Sequence, residues 1–281
     1  MEPQQLEIRE KQRKSWNDFS PGWEKWDQFT MEFLQAQADA IIESLDLSPN
    51  SRVLDIATGT GEPGLTMASI VSGGSVTAVD LSEGMLAIAE KKARLKGLLN
   101  FTTQVADVSV LPFEDDSFDA ISCRLGFMFF PDMQLAAREI LRVLKPGGKI
   151  AVTVWGEPSK NLWVTAMMGA IKKNIELPVP PPGAPGMFRC SQPGFITQLF
   201  REAGLSGCNE SEINGEMLCS STDEYWTFMN DVVPPVVAVF KNADEHTIAS
   251  IRQEVYDLID AKSGGAMKKI GFGARILTGY K

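Results

Sequence analysis

Cysteine is sparse in this 281-residue chain, and its four copies, Cys123, Cys190, Cys208 and Cys219, never fall at CxxC spacing. That leaves a zinc site without support and a disulfide framework without the density it needs, so the four read as free, buried or semi-buried thiols. Histidine is scarcer still: His246 stands alone, in a polar Asn-Ala-Asp-Glu-His run that reads as an exposed helix start rather than a catalytic base. Positive charge is also short. The net charge of −9 disfavours a nucleic-acid partner, since sequence-independent binding depends on neutralising phosphates. The basic run Lys91, Lys92, Arg94 and Lys96 reads as the solvated face of a helix. No apolar stretch is long enough to span a membrane, and the opening MEPQQLEIREKQRK has no apolar centre of a secretory leader, which predicts a soluble, cytoplasmic protein.

What is present is ordinary globular material, with 44% hydrophobic and 22% charged residues, enough for one large α/β domain or two small ones. Residues 6 to 47 read as helical and carry Trp16, Phe19, Trp23, Trp26 and Phe29. Pro21-Gly22 predicts a short helix, a turn and a longer helix. Then β-rich runs alternate with helical patterns: strands at 52–57, 75–80, 101–105, 118–123 and 149–154, with helices at 84–96 and 133–144 among them. That rhythm predicts a parallel sheet covered on both faces, with ligands beyond the carboxyl ends of its strands. After Trp155 come helices at 161–174, 192–203, 222–232 and 243–262, and a last strand at 272–280. The Pro/Gly run from Leu177 to Gly186 reads as an ordered loop over the substrate side, or as a plain surface connection.

The most informative segment is Val53-Leu54-Asp55-Ile56-Ala57-Thr58-Gly59-Thr60-Gly61-Glu62-Pro63-Gly64. Gly59, Gly61 and Gly64 satisfy GxGxxG, a weak pattern that also fits a dinucleotide. Asp55, just before the loop, is poorly placed beside a pyrophosphate and suits a ligand with nearby positive charge. Asp80 ends the second strand, where a carboxylate accepts from ribose hydroxyls in either kind of site. Asp107, in Ala106-Asp107-Val108, ends the third and suits an adenine amino group. Three strand ends with three carboxylates fit a cationic nucleoside.

DIATGTGEPG resembles the first motif of class I S-adenosylmethionine (SAM) dependent methyltransferases; VDLSEGML, ADVSVLPFEDDSFD and LRVLKPGGKI resemble three later ones, in order, over residues 50 to 155. Within that class FDAISCRLGFMFFPDMQLAAREILRVLKPGG is similar to the ubiquinone/menaquinone-biosynthesis C-methyltransferases (the methyltransferase type 11 core). The resemblance implies a Rossmann-like, seven-stranded, mostly parallel sheet with helices on both faces and helical lid insertions. One domain would span 1–281: an N-terminal helical lid at 1–48, a SAM-binding core at 49–156, and insertions or lid plus C-terminal strands at 157–281. It places SAM, leaving as S-adenosylhomocysteine, against Asp55, Ala57, Thr58, Gly59, Thr60, Gly61, Asp80, Leu81, Met85, Ala106, Asp107, Val108 and Arg124. Arg124 faces the methionine end or lies in a salt bridge; Met85 packs on adenine or is plain helix core.

Methyl transfer needs alignment and water exclusion more than a catalytic motif. No general base stands out, although Asp223, Glu224 and Tyr225 are available, and no metal is expected. Trp16, Phe19, Trp23 and Trp26 are candidates for a lid over SAM and an apolar acceptor, with ordinary helix packing as the alternative. Trp16, Trp23, Phe127 and Met128 are the acceptor-site candidates, together with the 125–130 stretch, Met187 and Phe188. The expected function is methylation of a small apolar or aromatic metabolite by a monomer or homodimer. RNA or protein methylation, a non-enzymatic SAM-binding role and NAD-dependent oxidoreduction are the competing readings.

Overall fold

Parallel strands buried on both faces read as near-continuous apolar runs, and Val53–Ile56, apolar but for Asp55, is buried at every residue. In the computed structural model, which describes residues 3–178, 183–263, 265 and 267–281, it belongs to a seven-stranded sheet. Three helices open the chain: α1 (Pro3–Lys25), α2 (Asp27–Phe33) and α3 (Gln35–Leu45). The core follows as β1 (Arg52–Ile56), α4 (Gly64–Ile70), β2 (Ser75–Asp80), α5 (Glu83–Leu95), β3 (Phe101–Val105), β4 (Phe118–Arg124), α6 (Met133–Val143) and β5 (Leu144–Trp155). Then come α7 (Leu162–Asn174), α8 (Phe195–Glu202), β6 (Ser206–Cys219), α9 (Thr222–Val232), α10 (Pro234–Phe240), α11 (Glu245–Ser263) and β7 (Lys268–Tyr280).

The strand order is β3-β2-β1-β4-β5-β7-β6. Strands β1 to β5 run parallel, and β7 runs antiparallel to both β5 and β6. Strand order reverses between β1 and β4, so a crevice opens there beyond the strands' carboxyl ends. Helix starts near that crevice are capped: Ser82 Oγ accepts from Met85 N at 3.1 Å, and Asp132 Oδ1 from Leu135 N at 2.9 Å.

Three features depart from the sequence reading. Pro21 does not break α1. Proline has no N–H to give the Asn17 carbonyl, but the Ser20 hydroxyl donates to that oxygen at 2.9 Å and the helix runs on to Lys25. Gly22 permits a close approach, since a Cβ there would stand 2.2 Å from the Asp231 carbonyl of α9. Second, the seventh strand, β6, lies where the sequence reading places no strand: SGCNESEINGEMLC is polar because it is an edge strand, exposed along much of its length. Third, β5 and β7 start earlier than their apolar runs. Of the proline-rich run, Val179, Pro180, Pro181 and Pro182 lie outside the described residues.

Candidate functional site

The turn after β1 is built on left-handed backbone. Gly59 has φ +56 and Gly61 φ +107, conformations that favour glycine. A Cβ on Gly59 would meet nothing within 4 Å, whereas one on Gly61 would stand 2.7 Å from Leu65 Cδ1. Gly59 therefore faces open space for a ligand, and Gly61 lets α4 pack close beneath. Thr58 N donates to the Val79 carbonyl at 3.1 Å, pinning the turn to the end of β2.

Asp80, half-buried, holds that turn from the side. Its Oδ2 accepts from Gly59 N at 3.0 Å and its Oδ1 from Ser82 N at 2.9 Å. Burial pushes its carboxyl above the usual range, and these backbone bonds oppose that. A carboxylate oxygen has two acceptor directions, so each retains one for a ligand hydroxyl. Asp107 accepts from Ser109 N at 2.8 Å and pairs with Arg9 of α1 at 3.1 Å.

Ala57, Thr58, Gly59, Thr60, Asp80, Leu81, Met85, Ala106, Asp107, Val108 and Arg124 line one cavity, joined by Trp16 and Trp23 of α1. Gln12, Glu62, Leu125 and Phe129 line it too; of these, Gln12 and Glu62 carried no sequence signal. Asp55 and Gly61 do not face the cavity. Asp55 is fully buried beneath the turn, accepting from the Thr58 and Ser122 hydroxyls at 2.6 Å each, and burial pushes its carboxyl up to about 6. It is a support for the loop.

Arg124 makes no salt bridge among the described residues. Its Nη2 reaches Met31 Sδ at 3.7 Å, while Nη1 is buried without a partner. Burial lowers its pKa, opposed by the more distant Asp55, Glu62 and Asp27. An unneutralised guanidinium in a cavity wall is a ready anchor for a carboxylate.

A second, apolar cavity of about 470 Å³ adjoins the first, with Gln12, Trp16, Trp23, Leu34, Leu125 and Phe129 as common walls. Its other walls include Phe33, Trp155, Trp163, Met187, Phe228 and Val232, and none of its described lining residues is ionisable. Trp16 meets Trp23 edge-on at 6.1 Å and Phe129 at 5.6 Å. Phe19 lines this cavity, but the Trp26 indole N–H donates to Asp231 Oδ2 at 2.7 Å instead.

Phe127 and Met128, read from the sequence as acceptor-site candidates, line neither cavity. The 3₁₀ turn at Phe127–Phe129 sends both inward, where they are fully buried and Phe127 packs on Phe200 at 4.9 Å, while Phe129 faces the cavities. Phe188 packs against the core without lining the second cavity. Tyr225 is also fully buried, its hydroxyl donating to the Trp163 carbonyl at 2.8 Å. Asp223 pairs with Arg252 and His246 is exposed on α11, so neither lines the cavities. The basic run on α5 is not simply solvated: Lys91 pairs with Glu24, Lys92 with Asp27 and Lys96 with Glu62. Two of these pairs, with Thr60 donating to Asp27 at 3.0 Å, tie the N-terminal helices to the core.

Residues 54–152 match a methyltransferase-domain family. This stretch runs from β1 into β5 and holds the glycine turn, Asp80 and Asp107, the part of the chain that resembles the class I SAM-dependent methyltransferases. Within that class the chain is similar to the demethylmenaquinone methyltransferase of Thermus thermophilus, at 40% identity over 123 residues, 43% of this chain and 54% of that protein. It is similar as well to a ubiquinone/menaquinone biosynthesis C-methyltransferase of Shewanella woodyi, at 38% identity over 123 residues, 43% of this chain and 49% of that protein. The chain thus matches about half the length of these curated relatives. The fold is shared with phosphoethanolamine N-methyltransferase 2 of Haemonchus contortus, solved with phosphomonomethylethanolamine and S-adenosylhomocysteine, at TM-score 0.53 and 19% identity over 87% of this chain and 52% of that one.

Proposed function

We propose that this chain methylates a small, apolar or aromatic metabolite, with SAM as methyl donor. The observation that carries the reading is the junction of two unlike cavities across a shared aromatic wall, one lined by the glycine turn and carboxylates, the other without an ionisable side chain. The first fits a cationic nucleoside with an amino-acid tail. Asp80 has acceptor sites left for two hydroxyls, Leu81 and Met85 offer an apolar wall, Asp107 offers a carboxylate, and Arg124 Nη1 is a buried donor lacking an acceptor. When bound, the cofactor supplies an electrophilic methyl on a positively charged sulfur, which passes to an acceptor nucleophile as the carbon–sulfur bond breaks and a neutral thioether remains.

The chain's own residues align and shield. Trp16 and Trp23 stand between the two cavities with Leu125 and Phe129, so both ligands meet there with little room for water. Aromatic faces in that wall also favour a sulfonium charge. Among the described residues lining the second cavity none is ionisable, so no side chain there is assigned as a general base. The names of the curated relatives, which act in menaquinone and ubiquinone biosynthesis, support an apolar, ring-bearing acceptor. We place the protein in the cytoplasm as a monomer or homodimer; among the described residues no helix is long and apolar enough to cross a membrane.

The test uses purified protein, methyl-labelled SAM and a cell extract resolved into small molecules, RNA and protein. Label in an organic-extractable small molecule is the expected result. Label confined to RNA or protein, or no transfer at all, overturns the proposal.

A further inference from the structure

Two hydrogen-bond donors on residues that line the second cavity have nothing to bond. Thr30 is 1% exposed and its hydroxyl is buried without a partner; the Trp23 indole nitrogen is likewise buried and unpartnered. Both residues line the apolar cavity, with the two polar atoms just behind its surface rather than open to it in the free protein. A helical threonine hydroxyl commonly rests on the carbonyl one turn back. Here that carbonyl, Trp26 O, accepts only the Thr30 backbone N–H at 2.8 Å, and the hydroxyl is left over. Orphan buried donors are rare and costly, and two on one apolar cavity call for an explanation.

The rest of the lining narrows what satisfies them. Gln12 and Ser15 are polar too, the Trp16 and Trp155 indoles add N–H groups, that of Trp163 already donates to Asn161, and no cation stands among the described lining residues to meet a carboxylate or phosphate. We infer that Trp23 and Thr30 are specificity residues which recognise a hydrogen-bond-accepting oxygen, a carbonyl or hydroxyl, on an uncharged acceptor molecule. This deepens the methyl-transfer reading and rests on it for the meaning of the cavity. Each donor is retained at a cost to the free protein and is satisfied when the acceptor binds. An acceptor of the same shape without the oxygen leaves both donors unpaired, which is how a site rejects an isostere.

The test titrates two probes of matched shape into the full chain by calorimetry: 1-acetonaphthone, which carries a ketone oxygen, and 1-isopropenylnaphthalene, which replaces it with CH₂. The wild-type protein is expected to bind the ketone about tenfold more tightly. Thr30→Val keeps the shape and removes the hydroxyl; it weakens the ketone about fivefold and leaves the alkene unchanged. Thr30→Ser restores the preference, and Trp23→Phe reduces it. A thermal melt of ligand-free Thr30→Val at or above wild type shows that the hydroxyl does not serve folding. Equal affinity for the two probes, binding of neither, or a Thr30→Val effect common to both overturns the inference. Titrations run with and without S-adenosylhomocysteine. A protein that fails to bind that nucleoside counts against the methyl-transfer reading, while the ketone–alkene comparison still decides this one.

Discussion

Arg9 of the first helix reaches Asp107, just beyond the third strand, Nη1 to Oδ2 at 3.1 Å, and so ties α1 to a wall of the cavity that the glycine turn opens. Asn17 Oδ1, two turns later, accepts from Ser82 Oγ at 2.8 Å and Gly84 N at 2.9 Å. Helix α1 is strapped beside the first cavity at both points.

Arg9→Ala tests the strap. The Arg9 side chain is 36% exposed and that of Asp107 16%, so the pair contributes at most about 1 kcal/mol to folding. The melting temperature is expected to fall by no more than about 3 °C, while SAM dissociation in stopped flow accelerates severalfold. An unchanged off-rate would show that the strap does not hold the ligand.

Arg124→Met removes the unpaired guanidinium. A charge-assisted bond of about 1.5–3 kcal/mol predicts a loss of SAM affinity of roughly 10- to 150-fold. The folded protein loses no salt bridge, so its melt is expected to hold or rise. The control is a SAM analogue lacking the carboxylate: it should bind wild type and variant alike. Equal penalties for both ligands would rule out carboxylate recognition.

Asp55 predicts a signature in stability against pH. Its folded carboxyl stands at about 6 because it is buried, against 3.8 as the ordinary value. The folded chain therefore holds this proton more tightly than the unfolded chain, and its contribution to stability falls as pH rises from about 4 to about 6, then levels. The full change is about 3 kcal/mol. Asp55→Asn carries no such titration, so in urea unfolding the wild type should lose ground to the variant across that window. A difference independent of pH would refute the assignment.

Tyr225→Phe separates a structural tyrosine from a catalytic one. Loss of the bond to the Trp163 carbonyl costs about 1–2 kcal/mol and lowers the melt by several degrees. The pH profile of methyl transfer should not move, since the hydroxyl does not line either cavity. A shifted profile would return Tyr225 to the reaction.

Much of this was legible in the sequence where local rules act alone. Strand runs that end in Asp80 and just before Ala106-Asp107, and a turn that needs Gly59, announce themselves because short β-branched runs stand between helical patterns and left-handed backbone favours glycine. What was not legible depends on partners far along the chain. Pro21 reads as a break until Ser20 is seen to supply the missing donor. Ser206–Cys219 looks like a polar loop until β7 pairs with it. Phe127, Met128 and Phe129 are one apolar run, and only the 3₁₀ turn decides which of them faces a ligand. Asp55 shares its motif with Gly59 yet points beneath the turn, a distinction that spacing does not carry.

Trp16 and Trp23 wall both cavities. Whatever occupies one cavity therefore sets the freedom of side chains that the other ligand must also meet. By thermodynamic reciprocity, the factor by which the donor changes the acceptor's affinity equals the factor by which the acceptor changes the donor's. An affinity for either ligand alone thus describes half of a linked equilibrium, and the order in which the two are added changes the path to the ternary complex but not its stability.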